Sequence, residues 1–295
     1  MSRLLSVFGT VKQSVLHMGR YPSPIIHPPR GSLPVLLSVP HSGRDYDPAL
    51  MANAVHGLAA LQALEDPLVD RLAWRAISAG IGGVVQPVPR AVIDCNRDED
   101  ELDPAAIDGI GPTPIGPRAR HGLGLIPSRT HRHGALWRRP IDRAELKRRI
   151  VEVHRPFHQA LADGLEALKT RHGEALLLDC HSMPSRRNAP AEVVIGDRHG
   201  ASAAGWLSSE AMRIVRGAGL RVALNDPYAG GAITARHGRP ATGVHALQLE
   251  FDRSLYLDRD GNAGHGFDRI ASLIEALAKR LGEALLASQM REAAE

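Results

Sequence analysis

Two histidines stand in the same setting in this sequence. Pro34-Val-Leu-Leu-Ser-Val-Pro runs into His41-Ser42-Gly43, and Ala175-Leu-Leu-Leu runs into Asp179-Cys180-His181-Ser182-Met183. Short apolar runs between polar flanks read as strands buried on both faces, and the helical patterns around them point to a parallel sheet covered by helices. In such sheets the chemistry gathers just beyond the carboxyl ends of the strands. Two strands that each deliver His-Ser there predict a shared metal or catalytic site. A catalytic zinc site takes about three ligands from His, Asp or Glu and leaves a position open for water. It gains from a carboxylate that serves as general base and from cations that hold the substrate.

Three further segments offer those groups. Leu61, Leu64, Leu68, Leu72 and Ile77 recur at helical spacing, interrupted by Pro67, which suits a first turn. That spacing predicts a helix capped by Glu65 or Asp66, with Asp66 and Asp70 on one face. Asp66 then reads either as a cap or as a metal ligand. Arg90-Ala-Val-Ile-Asp94-Cys-Asn96-Arg97 has an apolar centre with polar groups at both ends. On a strand Asp94 and Asn96 point the same way, and an asparagine–arginine pair suits a substrate carboxylate. Val244–Asp252 alternates so that Gln248, Glu250 and Asp252 share a face. His41, Asp66, Arg90, Asn96, Arg97, His181 and Glu250 together fit metal-assisted amide hydrolysis.

The elements that must position these groups follow an α/β pattern. Strands are expected at 34–40, within 80–88, at 175–178, from 193, from 221 and over 244–252. Helices are expected over 141–172, with Asp142 as cap, over 203–217 and over 267–289. The stretch 98–135, dense in Gly, Pro, Arg and His, reads as a long functional loop. Its His131 and His133 suit anions or solvent better than a metal. The glycine-rich 230–238 segment, which holds Thr234, allows close backbone approach to a ligand. Residues 1–33 read as an irregular or partly strand-like arm and 34–295 as a single domain.

Composition narrows the class. Hydrophobic residues make up 43% and aromatic residues 4%, so the core is expected to be aliphatic. The sequence shows no apolar stretch of spanning length and no cleavable leader, which predicts a cytoplasmic protein with no membrane partner. Two cysteines, Cys95 and Cys180, are too few for a disulfide framework and read as small buried residues. The net charge of +4 permits anionic partners. Lysine is scarce beside arginine and no nucleic-acid motif appears, so a carboxylate-bearing small molecule explains the arginines better than nucleic acid does. The oligomeric state is not specified.

Taken together, the motifs resemble the N-formylglutamate amidohydrolases. They are Val-Pro-His41-Ser-Gly43, Glu-Asp66-Pro-Leu-Val-Asp70-Arg-Leu, Arg90-Ala-Val-Ile-Asp94-Cys-Asn96-Arg97, Asp179-Cys-His181-Ser-Met183, Gly196-Asp197-Arg198 and Gln248-Leu-Glu250 through Tyr256, spanning about 34–258. The resemblance implies a three-layer α/β/α sandwich with a mostly parallel, mixed central sheet, related to the zinc carboxypeptidases. It implies one Zn2+ held by His41 and His181, a substrate carboxylate held by Asn96 and Arg97, and water activated by Glu250. Arg90 is the expected cation for the oxyanion, and Ser182, Arg198 and Thr234 complete the expected substrate-binding set. The carboxypeptidases carry their metal carboxylate three residues after the first histidine, where this chain has Arg44. The role passes to Asp66, with Asp70 and Asp45 as alternatives. A second departure is Pro67, where the family tends to carry an aromatic residue. The implied reaction is hydrolysis of the N-formyl or N-acyl amide of an acidic amino acid, foremost N-formylglutamate to formate and glutamate. A carboxypeptidase-like hydrolase of another carboxylate-bearing amide, and a basic binding protein with a vestigial site, are the alternatives.

Overall fold

Ala175–Met183 is buried at every residue and forms the middle of the sheet. The computed structural model describes residues 19–185 and 190–292. In chain order the strands are β1 (Ile25–His27), β2 (Val35–Val39), β3 (Gly82–Val85), β4 (Ala175–Met183), β5 (Val193–Gly196), β6 (Val222–Leu224) and β7 (Val244–Asp252). Among the described residues they make one seven-stranded sheet in the order β1-β3-β2-β4-β7-β5-β6. The four central strands β3, β2, β4 and β7 are parallel. At one edge β1 runs antiparallel to β3, and at the other the parallel pair β5 and β6 runs antiparallel to β7. The mostly parallel, mixed sheet expected for an α/β protein is therefore present. Of the arm expected at 1–33, residues 1–18 lie outside the described residues, and Ile25–His27 is the edge strand β1.

Alternation along β4 decides which face carries chemistry. Leu176, Leu178 and Cys180 join Leu37 and Leu249 in the core under three helices, α1 (Val69–Ser78), α3 (Gly205–Gly217) and α5 (Phe267–Glu292). Ala175 and Leu177 face the other way, into a core shared with α2 (Arg155–His172) and the segment around Val92, Ile93 and Leu125. Because side chains repeat every two residues, Asp179 and His181 follow Leu177 onto that second face. The third layer there includes the short helix α4 (Ala232–His237), where Ile233 is fully buried.

Several local expectations are corrected. Leu68 adopts a left-handed conformation (φ 60°) that delays the helix to Val69, so Asp66 is not its cap and does not share a helical face with Asp70. Residues 90–97 form consecutive turns rather than a strand. The backbone N–H of Asn96 donates to the Asp94 carboxylate at 2.8 Å, which curls the segment, and the Asp94 side chain meets His41 while that of Asn96 meets His181 and Gln248. The 98–135 stretch is structured: it contains a short helix, Pro117–Arg120, and a small hairpin pairing Arg129–Thr130 with Gly134–Ala135. The expected helix over 141–172 begins at Arg143, where the Asp142 side chain accepts from Glu145 N at 2.7 Å. A π-helical turn at Ile150–His154 interrupts it before α2. Pro156, which has no N–H to return to the preceding turn, sits at that junction. Both cysteines are buried and free, as expected, and burial pushes both thiols upward. Among the described residues no helix is long and apolar enough to cross a membrane.

Candidate active site

His41 leaves the end of β2, His181 lies within β4, and Asp66 sits in the turn before α1. Their junction is pinned by backbone: Asp66 N donates to His41 O at 2.9 Å, and Ser42 Oγ donates to Asp66 O at 3.1 Å. Both imidazoles present Nδ1 to the same Asp66 oxygen, at 3.2 Å for His41 and 3.0 Å for His181. All three side chains are buried, and their ligating atoms lie within 4.8 Å of one another. Asp70 is instead paired with Arg44 at 2.7 Å, and Asp45 is exposed.

The outer ring nitrogens are equally committed. His41 Nε2 lies 2.7 Å from Asp94 Oδ1, and His181 Nε2 lies 2.8 Å from Asp179 Oδ2. Those carboxylates are held in turn, Asp94 by Arg90 Nε at 2.8 Å and Asp179 by Ser38 Oγ at 2.7 Å. A carboxylate on Nε2 fixes the tautomer that offers the Nδ1 lone pair, the usual support of a metal-ligating histidine. Two such histidines and one carboxylate are a donor set that a divalent cation of the zinc type accepts. Burial opposes ionisation of both His181 and Asp66. Asp179 nevertheless raises the imidazole well above its ordinary value, and hydrogen bonds from both rings hold the Asp66 carboxyl below the usual carboxylate range. A cation entering here displaces ring protons. Replacing Asp179 by asparagine should weaken metal affinity by about 10- to 100-fold with the circular dichroism spectrum unchanged. Chelator competition checks this, and an unchanged affinity would remove Asp179 from the supporting role.

Glu250 comes from the neighbouring strand, in register with His181. Burial pushes its carboxyl up to about 7, a rise that the His181 and Arg90 charges partly offset. A relay of amides supports it: Ile233 N donates to Asn96 Oδ1 at 2.9 Å, Asn96 Nδ2 to Gln248 Oε1 at 3.3 Å, and Gln248 Nε2 to Glu250 Oε1 at 2.9 Å. A Cβ at Gly231 would stand 2.3 Å from Asn96 Oδ1, so this approach requires glycine.

These groups line a cavity of about 540 Å³. His41, Asp66, Arg90, Asn96, Arg97, His181, Ser182 and Glu250 all reach its wall. Arg97 is held by its own bonds, from Nε to Leu123 O at 2.8 Å and from Nη1 to Asn96 O at 2.6 Å. Two expected residues are not brought there. Arg198 is exposed on the turn after β5, and Thr234 is buried in α4 with its hydroxyl donating to Gly231 O at 3.0 Å. The backbone of Gly230 and Gly231 lines the wall in their place, with Thr234 and Arg198 packed against Gly230. Sequence reasoning missed Arg253, which directly follows β7, donates to Ser182 Oγ at 3.2 Å and lies 3.4 Å from Asp66 Oδ1. It also missed Arg118 and Arg132, which the organised 98–135 segment brings to the rim together with His131, a residue already read as suited to anions or solvent. A signal for Arg253 existed: it lies three residues after Glu250 at a strand end.

Behind Arg97 lies a buried histidine cluster. His154 Nε2 donates to Arg97 O at 2.8 Å, and His158 Nδ1 meets His237 Nε2 at 2.9 Å. Burial, reinforced by neighbouring positive charge, lowers His158 to about 2 and His237 to about 4. The unfolded chain binds these protons near pH 6.5 and the folded chain does not. Stability contributed by the neutral rings is thus present above about pH 6.5 and is lost as pH falls toward 4. The melting temperature should drop across that range, and His237→Asn should flatten the drop. A wild-type melting temperature constant from pH 7 to pH 4 would rule this out.

Paired imidazoles, each backed by a buried carboxylate and facing a shared third one beside a deep glutamate, place the chain among α/β proteins with a buried centre that could hold a metal ion. The comparisons narrow that class. The family model for N-formylglutamate amidohydrolase matches residues 33–257, and the chain belongs to that family. It is 31% identical to the N-formylglutamate deformylase of Pseudomonas aeruginosa over 269 residues, 88% of this chain and 94% of that protein. The deformylase of Pseudomonas putida is 30% identical over the same shares. The crystal structure of N-formylglutamate amidohydrolase from Ralstonia eutropha JMP134 superposes with a TM-score of 0.81 at 33% identity, covering 90% of this chain and 99% of that one.

Proposed function

We propose that this chain is a zinc-dependent cytoplasmic hydrolase that cleaves N-formylglutamate to formate and glutamate. The observation that carries this reading is a buried His41–Asp66–His181 centre with Glu250 and several arginines in one cavity, in a member of this family. His41 and His181 would hold the ion through Nδ1, and Asp66 through Oδ2. The ion, when bound, acidifies water and polarises the substrate carbonyl.

The chain's own residues do the rest. Glu250, unionised more readily than a surface glutamate, takes the proton of the attacking water as the new C–O bond forms. It returns that proton to the amide nitrogen as the C–N bond breaks, so no other reactant is needed. Arg90 is locked to Asp94 through both Nε and Nη2, at 2.8 and 2.7 Å, and presents a fixed positive charge to the developing oxyanion. Arg97, with Asn96 beside it, takes the substrate α-carboxylate. Ser182 and Arg253 steady Asp66.

The test is formate release from N-formylglutamate by protein reconstituted with zinc, beside a blocked dipeptide with a free carboxyl terminus. Formate release with little dipeptide cleavage is expected. Dipeptide cleavage alone would transfer the site to peptidase chemistry, and no hydrolysis of either with zinc bound would overturn the reading.

A further inference from the structure

Among the described residues five arginines line the cavity, and they are not equivalent. Arg90 is paired with Asp94, Arg253 lies against Asp66, and Arg97 donates to two backbone carbonyls. Arg118 and Arg132 are exposed at the rim, and among the described residues their guanidinium groups have no hydrogen bond or ion pair. Arg118 also presses on Arg97: its positive charge is among the causes that lower Arg97. Among the described residues the carboxylates on the wall are two, Asp66 and Glu250, both buried and both engaged by other groups. The cavity therefore carries more positive charge than its own acids neutralise, and the excess sits away from the metal-type centre.

We propose that Arg118 and Arg132 form a second anion subsite, which takes the side-chain carboxylate of the substrate and makes the enzyme select acyl amino acids with two carboxylates. This rests on the reading of the cavity as the site of formylglutamate hydrolysis. The α-carboxylate hangs on the carbon that bears the scissile nitrogen, so it must lie near the centre, within reach of Arg97. The side-chain carboxylate lies further along the chain and needs a separate cation. Its arrival beside Arg118 relieves the repulsion between that guanidinium and Arg97, which a neutral side chain cannot do. The hairpin tip carrying Arg132 and the Pro117–Arg120 helix carrying Arg118 thus decide specificity without touching the reacting atoms.

The test compares wild type, Arg118→Ala, Arg132→Ala and the double variant on N-formylglutamate and N-formylglutamine, which differ in that one charge. Each lost charge-assisted contact should raise KM for N-formylglutamate by about tenfold or more, with kcat nearly unchanged. N-formylglutamine kinetics should change by less than about threefold, so the double variant loses its preference for the acid. Equal losses on both substrates, or no loss on either, would overturn the subsite. Calorimetric binding of L-glutamate and L-glutamine to the same proteins reads the subsite without turnover. If wild type hydrolyses neither formyl compound but binds glutamate over glutamine, and the double variant does not, the subsite stands while the proposed reaction fails. No such preference in wild type would sink the subsite itself.

Discussion

Glu250→Gln should lower kcat for formate release by about a hundred- to ten-thousandfold while zinc content stays at the wild-type level. Glutamine keeps the volume and can still accept from Gln248 Nε2, which lies 2.9 Å from Oε1 in the wild type. What it loses is the ability to take a proton, and a positioned general base contributes a factor of that size. The pH profile carries the same signature. Glu250 works only when ionised, and burial pushes it up to about 7, so the rate should rise with pH through a limb at or somewhat below neutrality. A bound cation favours the carboxylate and moves that limb downward. A Glu250→Gln enzyme retaining more than about a tenth of wild-type kcat would remove Glu250 from proton transfer.

His181→Ala should abolish tight zinc binding and bring formate release to background. The centre draws one nitrogen from each histidine, and with two donors left neither the affinity nor the open coordination position survives. The variant also strips Asp179 of the ring 2.8 Å away, leaving Ser38 as its remaining side-chain hydrogen-bond partner. Leaving a buried charge unpaired costs about 3–5 kcal/mol, so a lower melting temperature should accompany the metal loss. In wild type, zinc affinity should fall as pH falls, by about tenfold per unit for each proton displaced, because the proton on His181 competes with the metal. Metal analysis after dialysis, with the melting curve of the same sample, checks the variant. Zinc retained stoichiometrically by folded His181→Ala would dismantle the centre.

Much of this protein was legible one segment at a time. The apolar runs at 34–40 and 175–178 announced buried parallel strands, and the His-Ser pairs at their ends marked the site, because strand burial and strand-end polarity are local properties. Asp142 announced its helix in the same way, through a cap that needs just the next three residues. Glu250 was found because alternation along β7 is a property of one strand.

Other features depend on contacts between segments far apart in the chain. Asp66 meets both histidines, and is not a helix cap, because His41 O fixes its backbone and Leu68 turns left-handed after it. The partners of the imidazoles, Asp94 and Asp179, were visible as residues but not as a pair of supports, since the turns at 90–97 meet the end of β2 only in the folded chain and Ser38 reaches Asp179 only across the β2–β4 pairing. Arg198 looked like part of the site from its motif, yet the Gly230–Gly231 backbone occupies the wall. Arg118 and Arg132 gave no periodic signal at all. Their place at the cavity rim follows from the folding of the 98–135 segment over the carboxyl ends of the strands, and long-range packing of that kind leaves no repeat in the sequence to read.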